Sequence, residues 1–168
     1  MNPLPKRKSL RLKNFDYSTQ NVYFLTLCSK DRKQIFSSIV GVGAPDDPKI
    51  ILTANGVIIE NEIVKMNELY DNVSVTSYVI MPNHVHLLLA VLPTDTDGTS
   101  GAPSPTNSAV ARYVSTLKRM TNKKSTVDIW QRGYYDHVIR HEEDYCLHLQ
   151  YIEENPKKWL LGKDEYYA

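Results

Sequence analysis

Two histidines separated by one apolar residue, His84 and His86, stand at the head of an apolar run, PNHVHLLL. Side chains alternate between the faces of a strand, so the two imidazoles point one way and Val85 the other. Paired imidazoles on one surface are candidate ligands for a divalent cation. Two ligands do not make a metal site, and the third must come from elsewhere in the chain. Tyr151 and Asn155 supply a phenol and an amide four residues apart, on one helix face about one turn from each other. A protonated phenol, with a reference pKa of about 10, is a poor nucleophile. A cation at the electrophile offsets this by polarising phosphorus and neutralising charge that builds in the transition state. The Asn155 oxygen would complete a set of two nitrogens and one oxygen with open positions. That set suits Mg2+ or Mn2+ holding a phosphate, although imidazole also suits zinc.

Spacing alone leaves rivals open. His148, three residues before Tyr151, is an alternative ligand or base, and with His84 and His86 it could form a small zinc hydrolase instead. Tyr145 has Leu149, not an amide or histidine, four residues on; Tyr134 and Tyr135 stand in a less regular setting.

The elements that must position these groups can be read in order. Residues 21–29 (NVYFLTLCS) form a first strand, buried on much of both faces. Residues 41–48 (GVGAPDDP) are a turn-rich loop. Thr53 caps a helix in which Ile59, Ile63, Met66 and Tyr70 face the core. Residues 73–81 form a β-branched strand, joined to the histidine strand by the short Pro82-Asn83 link as an antiparallel pair. Residues 93–107, full of Pro, Gly, Ser and Thr, read as a long flexible loop within one domain. Asn107 or Ser108 caps a second helix with Val110, Val114, Leu117 and Met120 inward. Residues 128–140 mix aromatics with arginines and include a short strand. The last helix, 141–155, should stop at or just before Asn155, because Pro156 disfavours helical geometry in the residue before it. The resulting order, β-α-β-β-α-β plus a helix, fits a ferredoxin-like α+β sandwich with an antiparallel central sheet.

Composition narrows the partners. At 168 residues and a net charge of +1 the chain is one domain's length and no polycation. Any contact with nucleic acid must then rest on where charge sits. Lys6, Arg7, Lys8, Arg11 and Lys13 make a basic arm within residues 1–20, with Asp16 the only acid there. Lys118, Lys123 and Lys124 gather near the end of the second helix, where they also complement its dipole. Trp130, Arg132 and Tyr134 could stack bases and hold phosphates, or simply pack. No apolar segment reads as a membrane span or secretory signal, and Cys28 and Cys146 read as free thiols, which points to the cytoplasm.

The blocks PNHVHLLL, WQRGYYDHVIR, EEDY and QYIEENPKKW, with the opening KRKSLRLKNFDYSTQNVYFLTLCSKDR, resemble the single-tyrosine HUH transposases. Within that group the chain is most similar to the REP-associated tyrosine transposases, and the resemblance runs over almost its whole length. It implies a ferredoxin-like sheet carrying a metal-binding pair, His84 and His86, with Asn155 as third ligand and Tyr151 as nucleophile. It also implies a single-stranded DNA hairpin as substrate, a repetitive palindromic element, cut to a 5′-phosphotyrosine and a free 3′-OH. The family includes monomers and homodimers. A hairpin-binding protein without strand transfer is the alternative that the same residues allow.

Overall fold

The computed structural model describes residues 21–41, 48–92 and 108–162. Its frame is a four-stranded antiparallel sheet built from β1 (Asn21–Cys28), β4 (Val73–Ile80), β5 (His84–Val91) and β6 (Tyr135–Ile139). The spatial order is β4-β5-β1-β6, with β5 and β1 in the middle. Three helices complete the sandwich: α1 (Ala54–Leu69), α2 (Ala109–Ser125) and α3 (Glu142–Leu160). Order and directions are those of a ferredoxin-like α+β fold with an added C-terminal helix.

Alternation along the central strands sorts side chains into two layers. Tyr23, Leu25 and Leu27 of β1 and Val85, Leu87 and Leu89 of β5 pack with Ile59, Ile63 and Met66 of α1 and Val110, Tyr113, Val114 and Leu117 of α2. On the opposite face Leu88 and Phe24 meet Ile152, Leu149 and Trp159 of α3. Strand β4 changes allegiance partway. Val75 pairs with Leu89 and Ser77 with Leu88, so Thr76 is the extra residue of a bulge. Val73 and Val75 therefore join the α1/α2 layer, while Val79 and Met81 join the α3 layer.

Both predicted caps form. Thr53 Oγ1 accepts the Gly56 N–H at 3.2 Å, and Ser108 Oγ accepts the Ala111 N–H at 3.1 Å. Gly56 has a second reason to be glycine: a Cβ there would lie 2.1 Å from the Phe36 carbonyl oxygen, so only a bare backbone can approach so closely. Buried Glu62 of α1 and Lys124 of α2 form an ion pair that ties the two helices together.

Three sequence expectations need correction. Gly41 and Pro48 are not simply ends of a loop but close two short strands, β2 (Ser37–Gly41) and β3 (Pro48–Leu52), which pair as a separate hairpin. Ile39 and Ile50 of that hairpin pack on the α3 layer, which is why so short a ribbon holds. Tyr70, although the C-cap residue of α1, packs against the first core cluster as expected, whereas Met120 is only half-buried and belongs to neither cluster. Helix α3 continues through Pro156 to Leu160. Proline removes one helical N–H, but Pro156 is buried and Trp159 packs on the second core cluster, and that burial offsets the lost bond. The basic arm at Lys6, Arg7, Lys8, Arg11 and Lys13 and the 93–107 loop lie outside the described residues. No helix among the described residues is long and apolar enough to cross a membrane.

Candidate active site

His84 and His86 begin β5 on the face turned to α3, directly opposite Cys28 and Thr26 of β1. Their ring centroids are 4.6 Å apart and both side chains are essentially closed to solvent, at 0 and 1% exposure. Each ring is oriented through Nδ1. That of His84 lies 2.7 Å from Asn83 Oδ1, to which it can donate, and that of His86 lies 2.9 Å from Thr26 Oγ1. Fixing Nδ1 in this way directs the Nε2 lone pair of His84 into the site, as a hydrogen bond to the far ring nitrogen does in metal-bound imidazoles. Burial, working against the neighbouring Asn155 amide and with the Arg32 charge, lowers the His84 pKa to about 3. Burial also holds His86 well below the ordinary imidazole range, helped by His84 and His148 and opposed by a hydrogen bond to the Leu25 backbone. Near neutral pH both rings are therefore uncharged, which is the form that ligates a cation.

Helix α3 brings the other half. Tyr151 meets His86 edge to face, with centroids 5.2 Å apart and planes at 73°. Phe24 stacks on His86 at 4.9 Å and takes the Tyr151 ring edge-on at 5.9 Å. Lys158 Nζ lies 5.2 Å from the centroid of the same phenol ring. The hydroxyl is shut off from solvent, yet its ring borders an imidazole instead of purely aliphatic packing. One turn on, Asn155 is fully buried and its amide lies against the His84 ring, but neither amide atom makes a hydrogen bond of good geometry. Leaving such a group unsatisfied costs about 1–3 kcal/mol. Two neutral imidazoles and an amide oxygen in this pocket fit a divalent cation, which would satisfy that oxygen.

The structure thus brings together His84, His86, Tyr151 and Asn155, which strand and helix periodicity paired and the family resemblance selected from their rivals. It also adds residues that periodicity missed. Asn83 and Thr26 orient the rings; Thr26 was signalled only as the polar interruption in YFLTLC. Arg32 had no sequence signal. It follows β1 in a single 3-10 turn where Asp31 and Arg32 both adopt positive φ, 57° and 54°, a conformation costly for side chains with a Cβ. That turn sets the guanidinium close enough to His84 for its charge to be felt.

The nucleic-acid candidates fare unevenly. Trp130 is 4% exposed, tilts against Phe36 at 4.8 Å and donates its indole N–H to Thr121 Oγ1 at 2.7 Å. It is a core residue, and the base-stacking expectation does not survive that placement. Lys118 donates to the carbonyls of Gln131 and Gly133 at 2.7 and 2.6 Å, holding the turn in which Gly133 has φ 80°. Lys124 is taken by Glu62. Both lysines serve the fold, which charge counting could not foresee. Lys123 and Arg132 are exposed, and Tyr134 is half-buried against the first core cluster. Arg132 and Tyr134 line a shallow depression with Thr26, Cys28 and Tyr135.

No protein-family model matches the chain. It is 29% identical to an uncharacterized protein of Haemophilus influenzae over 167 residues, covering 91% of this chain and 89% of that one. It is 29% identical over 84 residues to the REP-associated tyrosine transposase of Escherichia coli, half of this chain and 44% of that protein. A putative REP-associated tyrosine transposase of Haemophilus influenzae is 34% identical over 83 residues, 47% of each chain. The matched segment thus spans about half the length of either named relative. Among solved structures, that of a REP-associated tyrosine transposase bound to a REP hairpin superposes with a TM-score of 0.59 at 21% identity, over 89% of this chain and 74% of that one. That likeness shows a shared fold.

Proposed function

We propose that this chain, a relative of the REP-associated tyrosine transposases, cuts and rejoins single-stranded DNA at a hairpin through a covalent tyrosine intermediate. The observation that carries the reading is the convergence of Tyr151 and Asn155 on the buried imidazole pair. His84, His86 and Asn155 would hold Mg2+ or Mn2+, which when bound supplies Lewis acidity at the scissile phosphate; two imidazole ligands favour Mn2+ of the two. The Tyr151 oxygen would attack phosphorus, forming a 5′-phosphotyrosine as the bond to the 3′ oxygen breaks. The phenol proton leaves to solvent and the departing oxygen takes one up as a 3′-OH. Attack by another strand's 3′-OH on the phosphotyrosine reverses the step, so the phosphodiester energy is retained and no nucleotide cofactor is consumed.

Other side chains have supporting parts in this account. Arg32 adds positive charge beside the phosphate position. Arg132 and Lys123 would meet the DNA backbone together with the basic arm at Lys6, Arg7, Lys8, Arg11 and Lys13, and Tyr134 would approach bases at the edge of the site. Because the Tyr151 hydroxyl is closed to solvent, α3 or the phenol itself must shift to admit a strand. The same closure favours the rival reading, a hairpin-binding protein without strand transfer.

One experiment separates the two. Labelled single-stranded hairpin DNA is incubated with the protein and Mg2+ or Mn2+, then run on a denaturing gel. Label travelling with the protein is expected, and is lost in Tyr151→Phe. Tight hairpin binding with no covalent label from any hairpin of the host's repeats would leave only the binding role.

A further inference from the structure

Beside the strand pair lies a second group with metal-binding chemistry. His137 of β6 and Asp144 and His148 of α3 place one ligand atom each within 4.8 Å of one another. His137 Nε2 is 2.9 and 3.1 Å from the two Asp144 carboxylate oxygens, and His148 Nδ1 is 3.1 Å from Oδ1. The imidazoles stack at 4.7 Å with planes 18° apart. Phe24 separates this group from the first, contacting His148 at 4.7 Å and His86 at 4.9 Å, so the two share no ligand.

Without a cation these contacts are proton-mediated. Asp144 accepts from His137 and from the Arg140 N–H, and His148 Nδ1 donates to the Asp144 carbonyl at 2.8 Å. Two features go beyond such a cap. The donors come from two different elements, which helix capping does not require. Asp144 Oδ1 also lies 3.1 Å from both His137 Nε2 and His148 Nδ1, close to the edge of a tetrahedron with arms of about 2.0–2.1 Å, roughly 3.3 Å, and the two nitrogens lie within 4.8 Å of each other. Two imidazoles and one carboxylate, with His137 half-exposed to solvent, are the donors of an open three-ligand zinc site.

We propose that His137, Asp144 and His148 bind a zinc-class divalent ion and thereby pin α3 to β6. On binding, the ion takes the place of the N–H proton on the coordinating nitrogen of each neutral imidazole. That proton passes through solvent to the ring's other nitrogen, so each ring stays neutral, and Asp144 coordinates as the carboxylate it already is. His148 gives up its bond to the Asp144 carbonyl, and the stacked rings tilt so that each lone pair points at the metal. His148 lies three residues before Tyr151, so the clamp acts within one turn of the phenol. Zinc would hold the tyrosine helix in its docked position and oppose the movement that admits a strand. That consequence rests on the strand-transfer reading; the binding does not.

The test uses the full chain with His84→Ala and His86→Ala, which removes the first site. Titration with cobalt(II), followed by its visible absorption, and metal counting after zinc exchange should give one equivalent per chain. Adding His137→Ala or Asp144→Asn should abolish it, while His141→Ala, the remaining histidine, should not. Circular dichroism checks that each variant is folded; His137 is half-exposed, so its truncation leaves the core untouched. No bound metal in the double variant, or binding that survives both His137→Ala and Asp144→Asn, overturns the site. Hydrogen exchange of the α3 amides should slow when zinc is added. Unchanged exchange with one metal bound overturns the clamp.

Discussion

Strand β5 shows two kinds of buried surface within eight residues. Toward α1 and α2 it presents Val85, Leu87 and Leu89, all fully buried in a continuous apolar layer. Toward α3 it presents His84 and His86, as deeply buried but next to an amide without a good hydrogen bond and a phenol closed to solvent. The first face lowers free energy by removing apolar area from water. The second desolvates polar groups, which opposes folding unless something compensates. One strand thus carries stability on one side and a buried polar site with a higher desolvation cost on the other, and the α3 side is where function is expected.

That contrast can be broken, and the largest effect should come from the phenol. Tyr151→Phe is expected to remove the covalent DNA adduct altogether while moving stability by no more than about 0.5 kcal/mol, read from denaturing gels and urea midpoints. An adduct at normal yield would move the nucleophile to another residue. Next is Leu87→Ala on the opposite face, which should cost about 2–5 kcal/mol in urea unfolding and lower activity only through the fraction folded. Its counterpart, His86→Leu, should abolish metal-dependent cleavage yet change stability by about 1 kcal/mol or less, because a desolvated imidazole is replaced by a side chain suited to burial. A loss as large as that of Leu87→Ala would dissolve the distinction between the faces.

Smaller effects sharpen the picture within the fold. Gly56→Ala forces a Cβ toward the Phe36 carbonyl and should destabilise by about 1–3 kcal/mol, with cleavage per folded molecule unchanged. The two neighbouring lysines should behave oppositely. Lys123→Ala is expected to weaken hairpin binding slightly and to reduce the slope of log affinity against log salt by about 1. Lys124→Ala, which strands Glu62, should show its effect in the unfolding midpoint instead. Equal salt slopes for the two variants would remove the basis for assigning them different work.

Period arithmetic on the sequence was enough to pair His84 with His86 and Tyr151 with Asn155, because side-chain direction along a strand or helix is a local property. The six-element order, the Thr53 cap and a cap at Asn107 or Ser108 were legible for the same reason. What remained hidden depended on distant neighbours. Trp130 and Lys118 carry the residue types of nucleic-acid contacts, but Thr121 and the 131–133 turn claim them. Pro156 is a helix stop by local rule, overridden when burial of Pro156 and Trp159 outweighs one hydrogen bond. Arg32 reaches His84 only through a strained turn, and His137, Asp144 and His148 meet only because β6 and α3 pack side by side. The chain's own pattern therefore determined which groups share a face. Only the tertiary structure decided which faces meet, since that choice is made by long-range burial and not by any neighbour in sequence.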